Sequence, residues 1–137
     1  MTSLPMNHRV ALTITSLLSI VLFSFHWVDE ISRGMETAGL AGLGGVGILV
    51  VWLSGTLILG QRRSGLVIML VGAILGVGVL VVHMKAGLLG GRIATNSPGA
   101  FFWVWTLIAL GVSSTLSLIL SVLSLVVSPA QPSSRAP

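Results

Sequence analysis

The sequence predicts an all-α integral membrane bundle of four transmembrane helices, running up and down, with both chain ends on the cytoplasmic side. Three observations predict it. Hydrophobic residues fill 54% of the 137 positions and charged residues only 7%, whereas a soluble domain carries about 25% charged residues. Four apolar stretches are long enough to cross about 30 Å of hydrocarbon, which takes roughly 17 to 25 residues. None of them alternates apolar with polar residues as a barrel strand must, so in lipid their backbone groups are satisfied only as helices.

The first helix is expected at about residues 10–28, a run free of Asp, Glu, Lys and Arg. His8 and Arg9 precede it as in a signal peptide, but Phe25, His26, Trp27, Val28 and Asp29 offer no small-x-small cleavage site, so a retained helix is expected. The second, about 40–60, opens on a run of glycines and carries Trp52 midway, where internal packing suits an indole best. The third, about 66–84, holds only Ala, Val, Ile, Leu, Met and Gly as far as Val82. The fourth, about 101–127, exceeds the hydrocarbon thickness and is expected to tilt or project. Residues 1–128 thus make one domain, and the Pro- and Ser-rich residues 129–137 read as a disordered tail.

Orientation follows from the cations. Four spans place Arg9, Arg62, Arg63 and Arg135 on one side, and Arg33, Lys85 and Arg92 on the other. Arg62 and Arg63 occupy the shortest connection, where positive charge weighs most, so their side is expected to be cytoplasmic. Trp27 at the end of the first helix and Trp103 and Trp105 at the start of the fourth then share the outer interface, as an aromatic belt requires. The net charge of +4 rests on seven scattered Lys and Arg, which reads as topology rather than as a nucleic-acid footprint. The chain has no Cys, which excludes disulfides, thiolate metal sites and cysteine nucleophiles.

Lipid supplies no hydrophobic drive for helix association, so small residues mark the close contacts. Ser114, Ser117, Ser121 and Ser124, continuing to Ser128, are spaced 3, 4, 3, 4 and form one seam on the fourth helix. Gly72 and Gly76 form a G-x-x-x-G frame on the third. These positions are expected to pack helices together within the chain, or to join it to a second copy or a membrane partner. Gly42, Gly44 and Gly47 match G-x-G-x-x-G in letters only, because no soluble strand precedes them.

One cluster carries chemistry. His26, Asp29, Glu30 and Arg33 stand at offsets 0, 3, 4 and 7 and share a helix face. The topology brings His83 to the same outer side, with Lys85 and Arg92. Two His with a carboxylate suit zinc or iron, so His26, Asp29, Glu30 and His83 are the candidate metal ligands. Two axial His would also serve haem b, and ionisable groups at such depth can mark an ion or proton path. The competing reading is structural: Asp29 with Arg33, Glu30 with Arg33 and Arg33 with Glu36 form helix-spaced pairs at a headgroup interface. No charged residue lies mid-span, which argues against a proton-coupled pump.

His26-Trp27-Val28-Asp29-Glu30, Arg62-Arg63-Ser64-Gly65, His83-Met84-Lys85 and Gly99-Ala100-Phe101-Phe102 resemble segments of small four-helix membrane proteins of bacteria. The resemblance implies a membrane location and points to no particular activity. With no eukaryotic address in the chain, the expected location is the bacterial inner membrane. The leading functional expectation is a non-enzymatic accessory or interaction subunit with no required cofactor; the alternatives are metal or haem binding through His26 and His83, and ion permeation.

Overall fold

The structure is a computed structural model that describes residues 6–35, 39, 42–85 and 99–127. The described residues form four helices: α1 (Met6–Ser32), α2 (Gly42–Leu57), α3 (Arg63–Lys85) and α4 (Ala100–Val127). Three of them, α1, α3 and α4, are long and apolar enough to cross a membrane. α2 is apolar but shorter, at 16 residues, or about 24 Å at 1.5 Å per residue. The expected 40–60 stretch narrows because the chain turns through residues 58–62 into α3, with Ile58 and Leu59 both donating to the Ser54 carbonyl at 2.9 and 3.1 Å. The 86–98 loop, Glu36, the tail from Ser128 and the Lys85 side chain lie outside what is described.

Side-chain pairings run in opposite directions along each pair of neighbouring helices. Ser19 bonds Ser113 at 3.0 Å, while His8, earlier in α1, reaches Ser124, later in α4, at 3.1 Å. On α2 and α3, Trp52 meets Gly72 and Gly55 meets Ile68. On α3 and α4, Gly76 meets Ser114 and Gly111 meets Leu80. α4 packs mainly on α3 and α1, and α2 mainly on α3.

The distribution of polarity is compatible with a membrane protein. Large apolar side chains such as Ile14, Phe25, Val51, Val71, Ile119 and Val126 face outward. Ser16, Ser19, Thr56, Thr106, Ser113, Ser114, Ser117, Ser121 and Ser124 are buried. A soluble monomer rarely exposes apolar patches beyond a few hundred Å²; a bilayer removes that cost. Inside, several polar groups around Trp52 pair locally. The Trp52 indole N–H donates to Ser16 Oγ at 3.0 Å, Ser16 shares a 2.8 Å bond with Thr56, and Thr56 donates to the Trp52 carbonyl at 2.9 Å. The Trp52 ring can sit there because Gly72 leaves it room: a Cβ at that position would collide with the indole. Gly76 likewise admits Ser114. The serine seam is therefore packed inside a single chain, against α3 and α1.

The C-terminal end of α1 is closed by a glycine cap. Gly34 takes a left-handed conformation (φ 68°), which glycine adopts without Cβ strain. The Met35 N–H reaches back to the Glu30 carbonyl at 2.9 Å and the Gly34 N–H to Ile31 at 3.0 Å. This paired closure satisfies the last carbonyls of the helix and holds the backbone of Glu30 in place.

Candidate metal centre

Three side chains meet where α1 ends, α3 ends and α4 begins. His26 and Glu30 are one turn apart on α1, and His83 lies on the last turn of α3. Their ligand-capable atoms all lie within 4.8 Å of one another. Glu30 Oε1 is 2.7 Å from His83 Nε2 and 3.5 Å from His26 Nε2. The His26 side chain is 3% exposed and that of Glu30 12%, whereas that of His83 keeps 24%, so the His83 side is the more accessible.

The hydrogen bonds decide which nitrogen of each imidazole faces the carboxylate. His83 Nδ1 lies 2.7 Å from the Val79 carbonyl. A carbonyl only accepts, so Nδ1 carries the hydrogen. His26 Nδ1 lies 3.3 Å from Thr106 Oγ1. That hydroxyl has its one hydrogen engaged with the Phe102 and Trp103 carbonyls at 3.0 and 3.1 Å, so toward His26 it accepts. Both rings are thus anchored through Nδ1–H and turn Nε2 toward Glu30; without a metal, the 2.7 Å contact of His83 Nε2 with Glu30 Oε1 is a hydrogen bond that needs a proton between the two atoms, which a metal ion would displace. Anchoring one ring nitrogen on a carbonyl or hydroxyl while the other faces the ion is how metal-ligating histidines are oriented. Around a tetrahedral ion with bonds of about 2.0–2.1 Å, neighbouring ligand atoms stand roughly 3.4 Å apart. The two Nε2–Oε1 separations fall on either side of that value.

His26 Nε2 is buried and has no hydrogen-bond partner among the described residues. Leaving such an atom unsatisfied costs about 1–3 kcal/mol, and a metal ion on this nitrogen removes the cost. Trp103 closes the site from α4, its ring centroid 5.3 Å from each imidazole. Beyond it, Trp103, Ala100 and Leu107 form an apolar cluster with Met35, Val79 and Leu80, which keeps that side of the ligand set dry.

Asp29 takes no part in the group. Its carboxylate receives two bonds from Arg33, at 2.8 and 3.2 Å, in a parallel fork. The Asp29 hydrogen bond raises the Arg33 pKa above its ordinary value. The guanidinium packs against Gly99, where a Cβ would strike it. Glu30 bonds His83 and faces His26 at 3.5 Å. Haem does not suit this geometry. Two axial imidazoles must lie on opposite faces of the macrocycle, but His26 and His83 touch edge to face, with centroids 5.2 Å apart at 85°.

Three contributors are absent from the sequence reading: Thr106, Trp103 and the Val79 carbonyl. Thr106 stands out in sequence only as a hydroxyl in an apolar run, and Trp103 reads as a belt residue. Comparison of the chain with protein-family models, curated proteins and solved structures finds no match.

Proposed function

We propose that the chain is a four-span membrane protein, with both ends cytoplasmic, that binds one divalent transition-metal ion near its outer interface through His26, Glu30 and His83. The observation that carries this reading is the paired anchoring of the two imidazoles, which turns both Nε2 atoms toward one carboxylate. Two neutral imidazoles and one carboxylate are the ligand set of catalytic zinc sites and of ferrous oxygenases, which leave further positions for water or substrate. Copper(I) selection by soft ligands is not supported, because no sulfur ligand belongs to the group. The orientation is supported by exposed Arg62 and Arg63 in the α2–α3 turn, with Arg9 donating to Gln61 at the same end. With its serine seam turned inward, the chain is better read as a metal-binding protein than as an accessory subunit.

Elemental analysis of the purified, detergent-solubilised protein tests this. About one equivalent of zinc or iron is expected, lost on His26→Ala and on His83→Ala. Retention of the metal in both variants, or its absence from folded wild-type protein after incubation with either ion, overturns the assignment.

A further inference from the structure

α2 and α3 leave a groove of about 460 Å³ between them, running from Gly44 near the start of α2 to Val67 near the start of α3, within the range of small-molecule sites. Its walls are Ile48 and Val51 from α2 and Val67, Val71 and Leu75 from α3, with Trp52 and Gly72 as floor. Every lining residue is apolar or glycine. Gly44 and Gly47 keep it open, since a Cβ built on either meets nothing within 4 Å.

The groove has a charged end. Val67, Val71 and Leu75 follow one another at i+4 spacing along α3, and the same stripe begins one turn earlier at Arg63. Arg62 and Arg63 are exposed, and Arg9 is tied to Gln61 beside them. The carboxylates of the sequence, Asp29, Glu30 and Glu36, belong to the other end of α1 and the connection after it. The site therefore asks for a long apolar body with an anion at one end.

We infer that this groove holds an acyl chain of an anionic phospholipid, with its phosphate on Arg62 and Arg63. The inference rests on the membrane reading above but not on the metal. A second copy of the chain fits less well. Pairing two such grooves in one bilayer, with the same orientation, sets two Arg62–Arg63 pairs at equal depth, where they repel.

The test is quenching of Trp52 by bromine-labelled acyl chains, with the full chain reconstituted in vesicles of brominated phosphatidylglycerol or brominated phosphatidylcholine. Subtraction of the Trp52→Phe signal isolates the floor of the groove. Stronger quenching by phosphatidylglycerol is expected. Arg62→Gln with Arg63→Gln should reduce that preference about fivefold per arginine. Gly47→Leu, which fills open space, should lower quenching by both lipids without loss of helicity. Equal quenching by the two lipids, or a preference that survives the double Arg substitution, overturns the inference. A concentration-dependent dimer lost in Gly47→Leu would assign the groove to a second copy instead. Failure to float with either vesicle would overturn the membrane reading along with it.

Discussion

Two regions of the bundle interior are polar, yet they are built differently. In the seam of α4, Ser114, Ser117 and Ser121 are fully buried, and their hydroxyls find no hydrogen-bond partner among the described residues. Where α1 and α3 end, His26 is 2% exposed and Glu30 9%, and the ring nitrogens facing away from the centre are held on Thr106 and Val79. What the serines contribute is small size: Ser114 sits against Gly76, where helices approach closely. What the histidines contribute is direction. Burial of polar atoms alone therefore does not mark a site; orientation toward a common point by a second layer of bonds does.

Each side of that contrast can be broken separately. The largest effect is expected from Ser117→Leu, which forces a branched side chain into a fully buried position. Overpacking of this kind costs typically about 1–3 kcal/mol, and it should appear as a lowered melting temperature in detergent. Next comes Thr106→Val, which keeps the shape but removes the acceptor for His26 Nδ1–H. Loss of such an outer partner lowers metal affinity about 10- to 100-fold, measurable by competition with a chelating dye, while the melting temperature of the metal-free protein should change far less.

Smaller effects sharpen the comparison. Ser117→Ala removes an unpartnered hydroxyl and leaves a small side chain, so stability should stay within about 0.5 kcal/mol or rise, in contrast to Ser117→Leu. A loss above about 1 kcal/mol would mean that the hydroxyl makes a bond that matters. Asp29→Asn breaks the fork to Arg33, a partly exposed pair worth about 0.2–1 kcal/mol. Metal affinity should not change, because Asp29 faces Arg33 rather than the His–Glu–His group.

The four helices were readable in the chain because the apolar runs are long and uninterrupted, and the charged residues fall between them or at their ends. The length of α2 was less so: residues 58–60 are apolar or glycine like the helix before them, and only the hydrogen bonds to Ser54 show the turn. Within the site, His26 and Glu30 were legible from their i, i+4 spacing, and His83 from counting spans. The choice between Asp29 and Glu30 was not. The two are adjacent and differ by about 100° around the helix, so only the position of α3 decides which of them meets His83. Thr106 was out of reach for the same reason, because its role depends on the rotation of α4 against α1 and leaves no periodic trace.

The central claim is that His26, Glu30 and His83 together hold one metal ion. Calorimetric titration of zinc into metal-stripped, detergent-solubilised wild-type protein, beside Glu30→Gln, tests it most directly. Saturation at about one ion per chain, with affinity falling by at least about 100-fold in Glu30→Gln, is the predicted result. No heat of binding in the folded wild type, or an isotherm unchanged by Glu30→Gln, would contradict it and leave the three side chains as a buried hydrogen-bonded cluster.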